Sequence, residues 1–373
     1  MVIKIKSIDV LAVGDPAVEV YNDSKYGFLE EFKKTKDIDV NFEIVSFNKY
    51  YEELMESFQK YKYDVVMVAG HLWLKEFVEK GYLAELKLAA AQNYNYLDIV
   101  AEIREELELD GRRYLLPSFS DGHILIYRKS DKTKNIAEKI TIKELIAVVK
   151  SFEKQSAPLV LKADASEIFL DLLPYFRARS LEPFSETGQF LLNNQSGRAA
   201  LNDYLDLKKY CQKNVINFGN QEVKEAIQKK EVELAVTWSG QLGTVMDEHC
   251  LEKESLDFAY FEQPWKTTWS FALNNLSQKK EAAAEFMYYI TSQKVDKVVG
   301  AHCGNPTRFS NFEADRDKFR WYKVVLKMLT NSKSLPDLKN TGSLIGSCSC
   351  EFHQALMGKI SAEEALNNIE KLI

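Results

Sequence analysis

Apolar and polar positions alternate along this chain with two different periods. Residues 3–13 (I-K-I-K-S-I-D-V-L-A-V) alternate early and then turn apolar, a strand pattern closed by Gly14-Asp15-Pro16. Residues 26–34 (Y-G-F-L-E-E-F-K-K) carry apolar positions at helical spacing, and residues 37–45 (D-I-D-V-N-F-E-I-V) alternate again. Over 48–61, Tyr50, Leu54 and Phe58 share one face at i, i+4, i+8, which predicts an amphipathic helix. Asp64-Val65-Val66-Met67-Val68 then reads as a strand buried on both faces. A loop over 69–74 and a helix over 75–80 are expected next. Strands alternating with helices predict an open α/β sheet.

Residues 110–130 (D-G-R-R-Y-L-L-P-S-F-S-D-G-H-I-L-I-Y-R-K-S) break this rhythm. Asp110-Gly111 is a tight-turn pair. Tyr114-Leu115-Leu116 is an apolar run, and Pro117, with no N–H for a ladder, is expected to end it. A polar loop follows over 118–123, and Ile124-Leu125-Ile126-Tyr127 is a second apolar run. Two readings stay open: a crossing between two lobes, or a hairpin with a six-residue loop.

Further along, Thr141 and Glu144 form a capping box that opens a helix. Short strands are expected over 158–161, 258–261 and 268–273. Helices are expected over 166–176, 196–210, 223–230 and 279–292.

At 373 residues the chain can hold two domains or lobes. A net charge of −6 with no basic tract argues against a nucleic-acid partner. No apolar window of about 18 residues is present, so no membrane span is expected. Five cysteines, an odd number, are scattered and form neither a metal finger nor a disulfide framework. Five isolated histidines and the absence of an H-E-x-x-H sequence argue against a metal site. Trp238-Ser239-Gly240 lacks the first glycine of a nucleophile elbow, and no nucleotide-binding glycine motif occurs. A pair of carboxylates acting on a glycoside is compatible with the composition. Lys4, Lys6 and Asp9 interrupt any signal-peptide core, and no N-terminal cysteine for lipid attachment is present. Either an export signal has been removed or the protein is cytosolic.

A colinear series of short motifs resembles the extracellular solute-binding proteins of ABC importers, the carbohydrate-binding, maltose-binding-protein-like family. Gly111, Tyr114, Leu116, Pro117 and Tyr127-Arg128-Lys129 resemble that family's first crossover. Tyr63-Asp64-Val65-Val66 and Gly81-Tyr82-Leu83-Ala84-Glu85-Leu86 follow its order around a ligand-facing loop. Ser196–Tyr210 and Glu231–Gly240 resemble elements of its second lobe, with Lys230-Glu231 standing where Gly-Lys is usual. Residues 279–292, Gly304-Asn305-Pro306-Thr307-Arg308 and Gly358–Leu366 are similar to its later helix, turn and terminal helix.

The resemblance implies a two-lobed α/β periplasmic-binding-protein-like fold (type II) with a ligand cleft between the lobes. Lobe 1 is expected at 1–117 plus 270–313, and lobe 2 at 118–269 plus 314–373. It implies a non-enzymatic protein without cofactor or metal that captures a carbohydrate, an oligosaccharide by expectation, for the membrane subunits of an ABC importer. It implies a monomer outside the cytoplasm, extracellular or periplasmic, with lipid anchoring as an option. The same fold serves polyamines, metals and thiamine, and sensory receptors, so these alternatives stand beside sugar transport. Site candidates are chosen by position at strand ends: Asp15 after the first strand, His71 and Trp73 after the third, and Ser120 and Asp121 in the crossover. Trp238 and Ser239 come from the second lobe, Trp265 and Trp269 from the return crossing, and Asn305 and Arg308 from the later turn. In the family the return strand carries glycines. Here Thr267-Thr268-Trp269-Ser270 stands in their place, and Trp269 is expected to stack on the ligand.

Overall fold

In the computed structural model the described residues are 7–87 and 94–373. The expected start of the first strand at residues 3–6 lies outside them. The chain divides into two units, Met1–Asp121 with Thr267–Arg320 and Gly122–Lys266 with Trp321–Ile373. Both are mixed α/β.

Unit 1 is built on one five-stranded sheet. Its strands are β1 (Ser7–Val13), β2 (Asp39–Val45), β3 (Val65–Ala69), β6 (Leu115–Asp121) and β12 (Thr267–Leu273). A two-residue pair, β4 (Glu108–Leu109) and β5 (Arg112–Arg113), turns through Asp110-Gly111. The sheet order is β2-β1-β3-β12-β6. β1 pairs in parallel with β2 and β3, and β12 runs antiparallel to β3 and β6. The helix Phe47–Lys60 buries Tyr50, Leu54 and Phe58 as its periodicity requires.

Pro117 does not end a strand. β6 continues through it to Asp121, so residues 118–121 of the expected polar loop are buried strand instead, and His123 already belongs to the next strand. The tolerance is positional: β6 is an edge strand, where a missing N–H breaks few ladder bonds. The ladder also slips there, between Trp269 and Ser270 of β12. Ser118 is left out of the pairing and bonds Tyr21 through its hydroxyl at 2.8 Å. The hairpin reading fails as well, because β6 and the next strand belong to different sheets.

The second sheet, in unit 2, has the order β8-β11-β7-β10-β9. Its strands are β7 (His123–Arg128), β8 (Lys139–Ile140), β9 (Leu159–Val160), β10 (Leu234–Trp238) and β11 (Leu256–Phe261). β7 is central, buried along its whole length, and antiparallel to both β10 and β11. The Thr141–Glu144 capping box forms as read from the sequence, and a second one, Ser361 with Glu364, opens the last helix.

The division after Asp121 follows from where β6 stops, and the division before Thr267 from where β12 begins. The expected boundaries are 117/118, 269/270 and 313/314; the units divide at 121/122, 266/267 and 320/321. Gly122 begins the unit 2 segment in a space with no room for a side chain. A Cβ there would lie 2.3 Å from the Trp265 carbonyl oxygen and 2.9 Å from Met328. Its backbone is also held, since Ser239 N–H donates to the Gly122 carbonyl at 2.8 Å. Gly122→Ala should therefore overpack the start of β7 and cost about 1–3 kcal/mol, read as a lowered urea midpoint. An unchanged midpoint would mean that the Trp265 backbone yields freely.

Candidate ligand-binding site

In open α/β sheets, ligands bind at the carboxyl ends of parallel strands, and strand direction decides which side chains meet there. In unit 1, β1, β2 and β3 run together. β12 runs against β3, and β6 runs against β12, so β6 is parallel to the first three. Their carboxyl ends and the start of β12 therefore share one edge. Asp15, Phe47, His71, Trp73, Ser120 and Asp121 follow or end these strands, and Trp269, near the start of β12, pairs with Ala69 at the end of β3.

Each of these residues has a definite local setting. Asp15 caps the helix Pro16–Asn22, accepting the Ala17 N–H at 2.8 Å. His71 and Trp73 do not lie in a loop: the helix begins at Gly70, directly after β3, and carries both in its first turns. A Cβ at Gly70 would stand 2.9 Å from the Glu106 carbonyl oxygen, so the close approach that starts this helix early needs glycine. Trp73 is buried, and Trp269 meets it edge-on with centroids 5.7 Å apart. Tyr50 and Phe47 also pack edge-on against Trp269, at 5.8 and 6.4 Å. Trp269 stays half-buried, whereas Phe47 and Tyr51 are exposed. The result is an aromatic wall with three rings reaching solvent.

Ser120, Asn305 and Arg308 are turned inward. Thr268 donates to Ser120 Oγ at 3.0 Å, and Asn305 donates its amide to the Ser120 carbonyl. Arg308 is fully buried and donates to the carbonyls of Asn95 and Thr291, both at 3.0 Å. Asp296 braces the same turn by accepting the Thr307 N–H and hydroxyl. These side chains hold the 304–308 turn to β6.

In unit 2, β10 ends at Trp238 opposite His123, the first residue of β7, and β9 leads directly into Lys162. Trp238, Trp265 and His123 form one ring cluster, with centroids 4.8–5.1 Å apart. Trp265 and Ser239 are buried, and Trp238 is half-buried. Two residues that sequence reasoning passed over complete the group. Glu167 Oε2 accepts the Trp238 indole N–H at 2.8 Å and the Lys162 ammonium at 3.1 Å. Lys162 also lies 4.0 Å from the Trp238 ring centre and donates to His123 Nε2 at 2.8 Å. An ammonium only donates, so His123 accepts at Nε2 and carries its proton on Nδ1. That nitrogen faces Asp171 Oδ1 at 3.7 Å, while Tyr204 donates to Asp171 Oδ2 at 2.8 Å.

The signal for Glu167 was present in the chain. It is the N-cap residue of the helix that follows β9, as Asp15 is of the helix that follows β1. Lys162 also stood out as a lone charge at the end of the apolar run Pro158–Leu161.

Among the described residues, no group of three or more His, Cys, Asp or Glu could hold a metal ion, and no helix is long and apolar enough to cross a membrane. All five cysteines are free thiols.

Two mixed α/β units carry their chemistry-bearing side chains at strand ends, where ligands of open α/β sheets bind. The chain belongs to the bacterial extracellular solute-binding proteins, whose family model matches residues 19–297. Its fold is similar to that of maltose-bound MalE3 from T. maritima, at 20% identity, 98% coverage of both chains and a TM-score of 0.85. It is also similar to a solute-binding protein of an ABC transporter from Agrobacterium radiobacter K84 in complex with ribitol. The identity there is 19%, with 99% coverage of both chains and a TM-score of 0.86. A third similar fold is the D-mannitol-bound solute-binding protein of Agrobacterium vitis S4. It is 20% identical over 98% of this chain and 97% of that one, with a TM-score of 0.84.

The buried ionisable groups of unit 2 make the folded state pH-sensitive. Burial raises the Asp171 carboxyl to about 7, against the pull of Lys162 and Tyr204. The unfolded value is about 3.9, so between about pH 4 and pH 7 the folded protein keeps a proton that the unfolded chain releases. Asp171 therefore lowers stability as pH rises through that window, by at most about 1.4 kcal/mol per pH unit. His123 acts oppositely: burial, then Lys162, hold it well below the usual imidazole range. Its contribution is lost as pH falls below about 6.5. Asp171→Asn removes the first slope and leaves the second. Its stability relative to wild type, from urea midpoints at half-unit steps, should climb from pH 4 to pH 7. A pH-independent difference would mean that Asp171 titrates alike in both states.

Proposed function

We propose that this chain reversibly binds a carbohydrate, an oligosaccharide, and hands it to the membrane subunits of an ABC importer. It acts outside the cytoplasm as a monomer, held at the membrane by a lipid where the mature chain carries one. It binds without chemical turnover. Membership of the solute-binding family supports the receptor role, and the maltose, ribitol and D-mannitol named for the similar folds support the ligand class.

The observation that carries the sugar reading is the pair of half-buried tryptophans, Trp238 and Trp269, each braced from behind at a strand-end edge. An indole face offers an apolar surface to the C–H face of a sugar ring, and a planar carboxylate takes hydroxyl protons. Glu167 lies against the indole N–H of Trp238, so ring and carboxylate can meet one sugar together. Asp15, the cap of its helix, and Asp121, buried at the end of β6, stand at the unit 1 edge. His71, Trp73, Ser120, Ser239, Trp265, Asn305 and Arg308 support those edges from inside in this reading.

Calorimetry against mono- and oligosaccharides, with polyamines and divalent metals as counter-ligands, should give saturable binding to a sugar. Trp238→Ala and Trp269→Ala should each weaken it by about 1–3 kcal/mol, the worth of burying one large ring. Binding confined to polyamines or metals would sink the carbohydrate reading. A lowered melting temperature with affinity unchanged would make either ring a core residue only.

A further inference from the structure

The Trp238–Glu167 pair stands on a column of ionisable groups. Lys162 is fully buried, as are His123, Asp171 and Tyr204 to within a few per cent. The Lys162 ammonium reaches both members of the pair, the carboxylate at 3.1 Å and the indole face at 4.0 Å. Glu167 Oε2 is the shared acceptor of the indole N–H and the ammonium. The pair itself is the part that reaches solvent, since the Glu167 side chain keeps 21% of its surface and Trp238 is half-buried. Withdrawing an ammonium from water is strongly unfavourable, and an apolar side chain of similar volume would fill the same space without that penalty. A lysine adds what methionine cannot: a charge, with one donor directed at Glu167 and one at His123.

We propose that Lys162 is a positioning residue for ligand binding, its buried ammonium fixing Glu167 and Trp238 as one preformed unit that takes a sugar ring and its hydroxyl edge. This rests on the carbohydrate reading above. Without the ammonium, Glu167 Oε2 keeps the indole N–H alone and the buried face of Trp238 loses its cation. Both side chains then gain rotamers in the free protein, and ligand binding must order them again at the expense of affinity.

Lys162→Met in ¹⁵N-labelled protein gives two readouts. One is the Trp238 indole N–H resonance without ligand, assigned through Trp238→Phe. The other is the calorimetric Kd for the sugar that wild type binds best, with maltotetraose as first probe. The expected result is a shifted or multiplied indole resonance and a Kd raised at least tenfold, with a cooperative melt retained. An indole resonance in its wild-type position, or an unchanged Kd, overturns the proposal. A purely structural lysine would move the melting temperature and leave the indole resonance alone. If Lys162→Met does not fold, Glu167→Gln removes the charge that Lys162 holds while keeping shape and acceptor. It should shift the same resonance and weaken the same binding, and wild-type values for both would overturn the proposal. A wild type that binds no sugar defeats the carbohydrate reading by itself, and the ligand-free indole resonance still decides whether Lys162 positions Trp238.

Discussion

Unit 1 depends on a backbone ladder whose closing strand, β12, follows most of unit 2 along the chain. β12 lies between β3 and β6 and pairs antiparallel with both. Without it β3 would present an unpaired edge inside an apolar layer, and β6 would have no partner in the sheet. Buried backbone groups must be paired, so the return of Thr267–Leu273 is a condition for unit 1. The same ladder places Trp269 opposite Ala69, within reach of Trp73 and Tyr50. The aromatic wall is thus a by-product of sheet closure. Pairing so distant in sequence carries a large loop-closure cost, which folding must meet before the contacts form.

The two strand-end edges are built on different physics. That of unit 1 is mostly aromatic: Phe47, Tyr51, Trp73 and Trp269 bury area and carry little charge. That of unit 2 sets two tryptophans against an ammonium, two carboxylates and an imidazole. Rings supply contact area at low entropic cost, whereas a buried charge network supplies direction, because hydrogen bonds and ion pairs hold only in particular geometries. The Trp238 indole shows the coupling: its N–H is held by Glu167 and its face by Lys162. Neither partner is adjacent to it in sequence.

Much of the fold was legible along the chain because burial has a period. Tyr50, Leu54 and Phe58 predicted a helix face, the apolar run at 65–68 predicted a buried strand, and Thr141 with Glu144 predicted a cap; all three stand in the structure. Pro117 misled, since its cost in a strand depends on which side has a neighbour, and only sheet order settles that. The start of the helix at Gly70 was missed for a related reason. Glycine reads locally as a breaker, but here it is selected by the Glu106 carbonyl oxygen that would lie 2.9 Å from any Cβ.

The candidate residues divide along the same line. That Asp15, Trp73, Trp238 and Trp269 fall at strand ends follows from local pattern, because strand limits are set by short-range periodicity. Which of them reach solvent could not be read there. Trp265 and Trp269 lie four residues apart in one segment, yet Trp265 is 1% exposed while Trp269 keeps a free edge. Likewise, only tertiary packing joins Lys162 to His123, Glu167 and Trp238 across 39, 5 and 76 positions of chain. By itself the sequence determined the alternation of strands and helices, the caps and the family motifs, since these rest on neighbours within a few residues. The tertiary structure decided the strand order, the inward or outward fate of each tryptophan and the charge network, because burial and pairing are properties of distant segments brought together.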